Sequence, residues 1–275
     1  MIFLVFAFLI YFGLDSSNKL SHVIIPLHYT QISKLFLIYS NRSLYLPCKE
    51  KTSVSLIVLL TGHLNLSIEN EIYFELNKSI LTTSCFRSIK IQWAELSGNN
   101  NSYAKGTYIM FENVLKKQYS LSSASYVFWM EPDCIPIKSF WLDAAIQEVS
   151  LPNLPFWIKG SQFRGADELL PVNITGFQVH INGNAIYNLL SSSFKKFYFS
   201  KIKPNIKPNR AFDTGIFELI YENLPKYRQF LHKFQYTDFI QNTYFYPPKI
   251  ESFKQINPYT YLLHTGSRQA DPSQF

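Results

Sequence analysis

Residues 128–136 read FWMEPDCIP, an apolar run followed at once by two acidic side chains. The run from Tyr126 to Met130 predicts a buried strand that stops at Glu131. Two carboxylates spaced i and i+2, at a point where the pleat breaks, can converge on one hard divalent cation. The competing interpretation is a strand-ending turn whose acids are solvated, since short acidic pairs are common.

Three further apolar segments precede this stretch and alternate with helical patterns. The predicted strands are 22–28, 53–60 and 88–96, and the predicted helices are 31–39, 67–76 and 108–119. Buried strands that alternate with helices are typical of an α/β fold with a parallel, doubly wound sheet. Such sheets bind ligands beyond the carboxyl ends of their strands, which is where Glu131 and Asp133 fall.

Residues 103–145 resemble the GT-A glycosyltransferases, whose metal-binding D-x-D motif follows the fourth strand. The shared order is a glycine, a helix with an asparagine, an apolar strand, the acidic motif and a proline. The counterparts here are Gly106, Asn113, residues 126–130, Glu131-x-Asp133 and Pro136. As an order of strands and helices the likeness covers about residues 21–145. It implies a GT-A fold, with a mostly parallel sheet flanked by helices, and transfer of a sugar from a nucleotide diphosphate.

The resemblance also implies a metal site. Glu131 departs from the family's first Asp, so Asp133 is the safer ligand. Many GT-A enzymes supply a late histidine as a third ligand, and His264 has the matching position after an apolar segment; an ordinary hydrogen-bonded histidine is the alternative. The expected ion is Mn²⁺ or Mg²⁺, bridging the phosphates of a UDP- or GDP-sugar.

The ends of the first three strands are expected to hold the donor. The family often has an acidic residue after its second strand, where this chain has Thr61-Gly62, and Glu95 is the proposed replacement. Lys105 is a candidate phosphate contact. For both residues, simple exposure to solvent is the alternative. The predicted donor-binding residues are Pro26, His28, Glu95, Lys105, Gly106 and Asn113.

Two later patches predict an acceptor site for a glycan, protein or lipid hydroxyl. Residues 156–165 combine aromatic faces, which stack on sugar rings, with basic side chains; a loop around a core tryptophan is the alternative. Residues 180–185 read HINGNA, which favours a tight turn presenting amide groups and looks like the acceptor-side loop of some GT-A members. The predicted acceptor residues are Trp157, Lys159, Arg164, Asn182, Gly183 and Asn184.

An inverting transferase needs a carboxylate that takes the proton from the acceptor hydroxyl. Asp213 follows the metal motif at a suitable distance and is the predicted catalytic base. Glu218 and Asp167 compete for this role. The alternative function of Asp213 is to cap the helix that follows it.

Residues 2–14 form an apolar run, so residues 1–20 predict a signal peptide or short signal anchor; a buried helix or strand is the alternative. Sequons at Asn41, Asn65, Asn77, Asn100 and Asn173 give modest support for the secretory lumen, in the Golgi or endoplasmic reticulum, with possible anchoring to its membrane. Of three cysteines, Cys48 and Cys85 are the expected pair.

Residues 21–275 predict one domain, with a nucleotide-binding half at 21–145 and an acceptor half at 146–275. The net charge of +7 is spread along the chain, which favours anionic ligands, and no nucleic-acid-binding motif is present. An inactive GT-A-like binding protein is the main alternative. A nucleotidyltransferase is less favoured because its Gly-rich phosphate loop is missing, and the G-x-S-x-G and G-x-G-x-x-G motifs are also absent.

Overall fold

A computed structural model describes residues 19–39, 45–150, 154–164, 179–207, 210–243 and 249–265. Its strands are β1 Leu20–Leu27, β2 Ser55–Leu60, β3 Ser88–Trp93, β4 Tyr126–Trp129, β5 Cys134–Pro136, β6 Ile158–Arg164, β7 Ile181–Asn188, β8 Phe234–Tyr236, β9 Ile240–Thr243 and β10 Leu262–His264. Its α-helices are α1 Ile32–Tyr39, α2 Leu66–Lys78, α3 Ile80–Thr83, α4 Tyr103–Leu115, α5 Trp141–Ser150, α6 Ser192–Phe197, α7 Phe212–Glu222, α8 Leu224–Tyr227 and α9 Ile250–Ile256. Short 3₁₀ helices span Tyr29–Gln31, Gly98–Asn101, Lys203–Asn205 and Arg228–Lys233, and a π-helix spans Tyr198–Ile202.

The strands form one mixed sheet in the order β3-β2-β1-β4-β7-β6-β9-β10-β5, with β8 beside β6. The first four in this order are parallel to one another. β7 runs antiparallel to both its neighbours, and β5 runs antiparallel to β10. The predicted α/β fold with a mostly parallel sheet is therefore confirmed.

Alternate residues of the central strands enter two separate cores. Val23 and Ile25 of β1 join one apolar cluster with residues of α1, α2 and α5. Ile24, between them, joins a second cluster with residues of α4 and α7. Because successive side chains of a strand point to opposite faces, helices cover both faces of the sheet, as the unbroken apolar runs predicted.

The chain order reverses beside β1. β2 and β3 lie on one side of β1, and β4 lies on the other after the helix α4 has crossed over. At such a switch point the connections leave the two strands in opposite directions, which opens a crevice beyond their carboxyl ends. β1 and β4 therefore define the edge of the sheet at which the candidate site lies.

A disulfide joins Cys48 to Cys85, with 5.6 Å between their Cα atoms, while Cys134 is free and buried. This is the pairing expected from the sequence. Within the described ranges, no helix combines the length and apolarity needed to span a bilayer. Residues 1–18, with most of the predicted signal segment, lie outside those ranges, as do Asn41, Asp167 and Asn173.

Candidate functional site

Three ionisable side chains meet beyond the carboxyl end of β4. Glu131 and Asp133 lie in the turn between β4 and β5, which the hydrogen bond from Cys134 N to Glu131 O closes at 2.9 Å. β5 pairs with β10 in a register that sets Cys134 opposite His264. As a result, His264 Nε2 lies 3.3 Å from Asp133 Oδ1 and 3.5 Å from Glu131 Oε2.

The ring of His264 is oriented by the strand beside it. His264 and Asn242 are register partners in the parallel pair of β10 and β9. His264 Nδ1 lies 2.7 Å from Asn242 Oδ1. Since that oxygen only accepts hydrogen bonds, Nδ1 carries the proton, and Nε2 is directed at the two carboxylates.

Glu131 is held by Asn184 of β7. The backbone N–H of Glu131 donates to Asn184 Oδ1 at 2.7 Å, and Asn184 Nδ2 donates to Glu131 Oε2 at 3.0 Å. Asn184 Nδ2 also donates to Asn182 Oδ1 at 2.9 Å. The hydrogen bond to Asn182 therefore holds the Asn184 amide in place, and Asn184 fixes the direction of the Glu131 carboxylate.

The electrostatics of this cluster reflect two half-buried acids that lie close together. Burial, together with Asp133 and Asp213, raises the pKa of Glu131 to about 7 against the opposing effect of His264. Burial also acts to raise the pKa of Asp133, but the His264 ring and Lys34 outweigh it and hold that pKa below its ordinary value. Burial acts to lower the pKa of His264, and the neighbouring carboxylates reverse this effect and raise it.

These three residues fit a divalent cation. One ligand atom from each of Glu131, Asp133 and His264 lies within 4.8 Å of the others. Asp133 Oδ1 is buried and faces His264 Nε2 at 3.3 Å, so a cation bound by both atoms would take the place of this contact. Two carboxylate oxygens with one imidazole nitrogen are a donor set for ions such as Mn²⁺ and Mg²⁺.

A cavity of about 300 Å³ opens beside Glu131 and Asp133. Its walls come from the ends of β1, β2 and β4, from the Gly98–Asn101 turn and from the middle of α4. The lining residues are Pro26, Leu27, His28, Thr30, Gln31, Thr61, Asn101, Ser102, Thr107, Met110, Glu131, Pro132 and Asp133. Pro26 and His28, two of the predicted donor-binding residues, are among them.

The other four predicted donor-binding residues do not line this cavity. Glu95 is exposed and pairs with His63, whose Nδ1 lies 2.8 Å from Glu95 Oε2. Lys105 is exposed on α4. Gly106 packs under the preceding turn, where an added Cβ would lie 3.2 Å from Asn100 O. Asn113 Nδ2 donates to Tyr119 OH at 2.9 Å, which favours a structural function for this residue.

Asn182, Gly183 and Asn184 lie next to the acidic pair, but not in the tight turn that their sequence predicted. They form the start of β7 between the partners Ile181 and Ala185. Those partners face Gln162 and Gly160 of β6, so β7 carries two extra residues at this point. This bulge brings Gly183 N to Asp213 and the Asn184 side chain to Glu131, while Asn182 Oδ1 contacts Asn184.

Asp213 lies on the far side of Gly183. Gly183 N donates to Asp213 Oδ2 at 2.7 Å, and Thr214 N donates to Asp213 Oδ1 at 2.7 Å. Ala211 holds the N-cap position of α7, so Asp213 is not the capping residue. A Cβ on Gly183 would lie 3.5 Å from both Asp213 Oδ2 and Glu131 Oε1, which puts these two oxygens no more than about 7 Å apart.

Aromatic packing fixes Asp213 relative to β4. Phe212 stacks on Phe111 of α4, with 3.8 Å between ring centroids, and its ring meets Trp129 edge to face. Of the two competing acids, Glu218 pairs with Arg210 at 3.0 Å. Asp213 is therefore the carboxylate that the described fold brings beside Glu131.

Trp157 and Lys159 of the first acceptor patch are buried away from this site. Trp157 is 3% exposed, and its ring stacks on Phe194 and Phe230, so no face remains for a sugar. This corresponds to the core tryptophan that was the alternative. Lys159 is buried and pairs with Glu148 at 2.7 Å. Arg164 ends β6 beside Thr243, and its side chain lies outside the described structure.

Several residues of the site carry no clear sequence signal. Asn242 acts on His264 through strand pairing, and nothing in the intervening 21 residues indicates this contact. Asn101 and Ser102 reach the cavity from the Gly98–Asn101 turn and its end. The cluster of Gly, Asn and Ser after β3 indicated a loop, and its position at the carboxyl edge of the sheet was the one available clue.

Comparison with known proteins establishes the fold. The chain is similar to mouse xyloside xylosyltransferase 1 in its apo form, with a TM-score of 0.53 and 11% identity over 90% of this chain and 98% of that one. It is similar to the bifunctional glycosyltransferase WbbM in its apo form, with a TM-score of 0.53 and 8% identity. That match covers 92% of this chain and 46% of the WbbM chain. An active-site mutant of LgtC gives a TM-score of 0.50 and 11% identity, and the match covers 90% of this chain and 87% of the LgtC chain.

No family model matches the sequence, and neither does any curated protein. The structures to which the chain is similar are GT-A glycosyltransferases. At these identities the likeness concerns the fold, and the chain therefore has the GT-A fold that its sequence predicted.

Proposed function

We propose that this chain is a metal-dependent glycosyltransferase, a hexosyl- or pentosyltransferase that acts on nucleotide-diphosphate sugars. The observation that carries the proposal is the meeting of Glu131, Asp133 and His264 beside a cavity beyond β1 and β4. The donor is a UDP- or GDP-sugar, and the acceptor is a hydroxyl of a glycan, protein or lipid. No nucleic acid is involved.

Glu131, Asp133 and His264 would hold Mn²⁺ or Mg²⁺, which supplies neutralisation of the charge on the departing diphosphate. Asn184 and Asn242 keep two of these side chains in position. The nucleotide enters the cavity lined by Pro26 and His28. The donor sugar then lies on the side of Glu131 that faces β7.

Asp213 accepts the proton of the acceptor hydroxyl in this proposal. The acceptor oxygen forms a bond to the anomeric carbon as the bond from that carbon to the diphosphate oxygen breaks. The backbone N–H groups of Gly183 and Thr214 hold the carboxylate in place, and the amides of Asn182 and Asn184 border the same space. Trp157 and Lys159, being buried in the core, are not part of this acceptor site.

The secretory lumen is the proposed location. The Cys48–Cys85 disulfide supports it, because such bonds persist in oxidising compartments. The sequons at Asn65, Asn77 and Asn100 are on exposed residues, which is compatible with modification there. Residues 1–20 would act as the signal peptide or as a short anchor in the membrane.

The test is release of nucleoside diphosphate from a panel of UDP- and GDP-hexoses and pentoses, with and without Mn²⁺. We expect release from one donor class that needs the metal and is lost in Asp133→Asn. Glu71→Gln, an exposed acid on α2, is the control and should behave as wild type. Binding of a nucleotide sugar with no release, even with acceptors present, would instead favour an inactive binding protein.

A further inference from the structure

Two buried side-chain oxygens without a hydrogen-bond partner line the same cavity. They are Thr61 Oγ1 and Asn101 Oδ1. Buried polar atoms are nearly always paired, so each such atom calls for an explanation. Thr61 lies directly after β2, and Asn101 lies in the Gly98–Asn101 turn.

The two unexplained atoms lie at the opposite end of the cavity from the acidic cluster. Thr61 follows β2 directly, Glu131 follows β4 after one residue, and β1 lies between these strands. Neighbouring strands are about 4.8 Å apart, so the two strand ends are separated by about 10 Å. Leu27 and Met110 contribute apolar surface to the same cavity.

The order of the strands indicates which part of a ligand would lie at each end of the cavity. On the other side of β4 lies β7, whose bulge carries Asn184 next to Asp213. Groups along the carboxyl edge therefore run from Thr61, through the cation site, to the proposed acceptor side. A nucleotide sugar has the same order of nucleoside, diphosphate and sugar, with the diphosphate in the middle.

The side chain of Asn101 lies beside the turn that follows β2. Gly62 in this turn has a φ of 81°, and a Cβ at its position would lie 3.7 Å from Asn101 Nδ2. The amide nitrogen of Asn101 therefore lies near Gly62, and its oxygen has no hydrogen-bond partner. An amide oxygen only accepts hydrogen bonds, so its partner must present an N–H or O–H group.

We propose that Asn101 and Thr61 bind the nucleoside of the donor, with Asn101 Oδ1 accepting a hydrogen bond from a base N–H or a ribose hydroxyl. This inference rests on the proposed function. It assigns recognition of the nucleoside to two uncharged groups, in a chain that lacks an acidic residue at the end of its second strand.

The test compares binding of the four ribonucleoside diphosphates with binding of inorganic pyrophosphate, all with Mn²⁺, by calorimetry. Asn101→Leu and Thr61→Val remove the hydrogen-bonding groups. Asn99→Leu, in the same turn and exposed, is the matched control and keeps the sequon at Asn100. We expect the preferred nucleoside diphosphate to bind Asn101→Leu about 5- to 100-fold more weakly, because an N–H or O–H group of the nucleoside is left without a hydrogen bond. It should bind Thr61→Val more weakly as well. Pyrophosphate should bind these proteins equally well.

The 2′-deoxy analogue of the preferred nucleotide identifies which group of the nucleoside donates the hydrogen bond to Asn101. If Asn101→Leu no longer weakens binding of this analogue, the ribose 2′-hydroxyl is the partner; if it still does, the partner is a base N–H or the 3′-hydroxyl. Equal loss of pyrophosphate and nucleotide binding, or no loss of either, would overturn the inference. A wild-type protein that binds none of these ligands would contradict the proposed function itself.

Discussion

Asn184 contacts Glu131 twice, accepting from its backbone N–H at 2.7 Å and donating to its carboxylate at 3.0 Å. This pair joins β7 to the turn after β4 and aims the Glu131 side chain at His264. The direction of the Glu131 carboxylate, a proposed metal ligand, is therefore set by a neutral side chain on a neighbouring strand.

Replacing Asn184 should weaken metal binding. Asn184→Ala removes both contacts, so Glu131 is free to turn away, and we expect Mn²⁺ affinity to fall about 10- to 100-fold. The measurement is a Mn²⁺ titration followed by electron paramagnetic resonance, with Asn99→Ala as the control. Unchanged affinity in Asn184→Ala would show that Glu131 needs no such support.

Two glycines on neighbouring strands should differ in how an added methyl group affects stability. At Gly160 an added Cβ would lie 2.7 Å from both Ala185 Cβ and Ile181 Cγ2, which overpacks the sheet. We expect Gly160→Ala to lose about 1–3 kcal/mol of stability and roughly 3–10 °C in Tm. At Gly183 the nearest atoms are 3.5 Å away, so Gly183→Ala should keep the Tm of wild type.

The methyl of Gly183→Ala would stand between Asp213 and Glu131, where the proposed acceptor approaches. We therefore expect a raised acceptor KM or lost transfer, while donor binding by calorimetry stays near wild type. Full transfer activity in Gly183→Ala would mean that the acceptor uses another route.

Asp213→Asn should separate catalysis from donor binding. The amide keeps the shape of the carboxylate but cannot take a proton, so we expect kcat to fall about 10²- to 10⁴-fold with donor affinity unchanged. Glu218→Gln, on the same helix and paired with Arg210, is the control. A kcat near that of wild type in Asp213→Asn would assign the proton to another group.

Acid should destabilise the fold through His22. Burial, with Lys90 and Arg87 nearby, lowers the pKa of this histidine from 6.5 to about 4. Between these values the unfolded chain binds a proton that the folded chain does not, so the free energy of unfolding falls as the pH falls from 6.5 to 4. We expect a loss of about 1–3 kcal/mol, measured by denaturant unfolding. His22→Gln should show a shallower loss, and the exposed His63→Gln should not.

The sheet was predictable because its central strands are buried on both faces and read as unbroken apolar runs. The apolar run of β4 stops at Glu131, which predicted that Glu131 and Asp133 lie at the carboxyl edge of the sheet. The resemblance to the GT-A glycosyltransferases suggested His264 as their partner. Asn182–Asn184 have the composition of a tight turn, but pairing with β4 and β6 holds the strand around them extended. Trp157 was ambiguous, since its sequence does not tell which side of the sheet it faces. Thr61 and Asn101 could be identified only from the folded structure, because whether their side-chain oxygens have hydrogen-bond partners depends on the residues packed around them.

In the proposed site, Glu131, Asp133 and His264 hold a cation that binds a nucleoside diphosphate. Its test is calorimetric titration of the nucleoside diphosphates into wild type, Asp133→Ala and Glu71→Gln, each with and without Mn²⁺. We predict binding that requires Mn²⁺ in wild type and Glu71→Gln and is lost in Asp133→Ala. Binding of equal strength with and without the metal, and unaffected by Asp133→Ala, would contradict the claim.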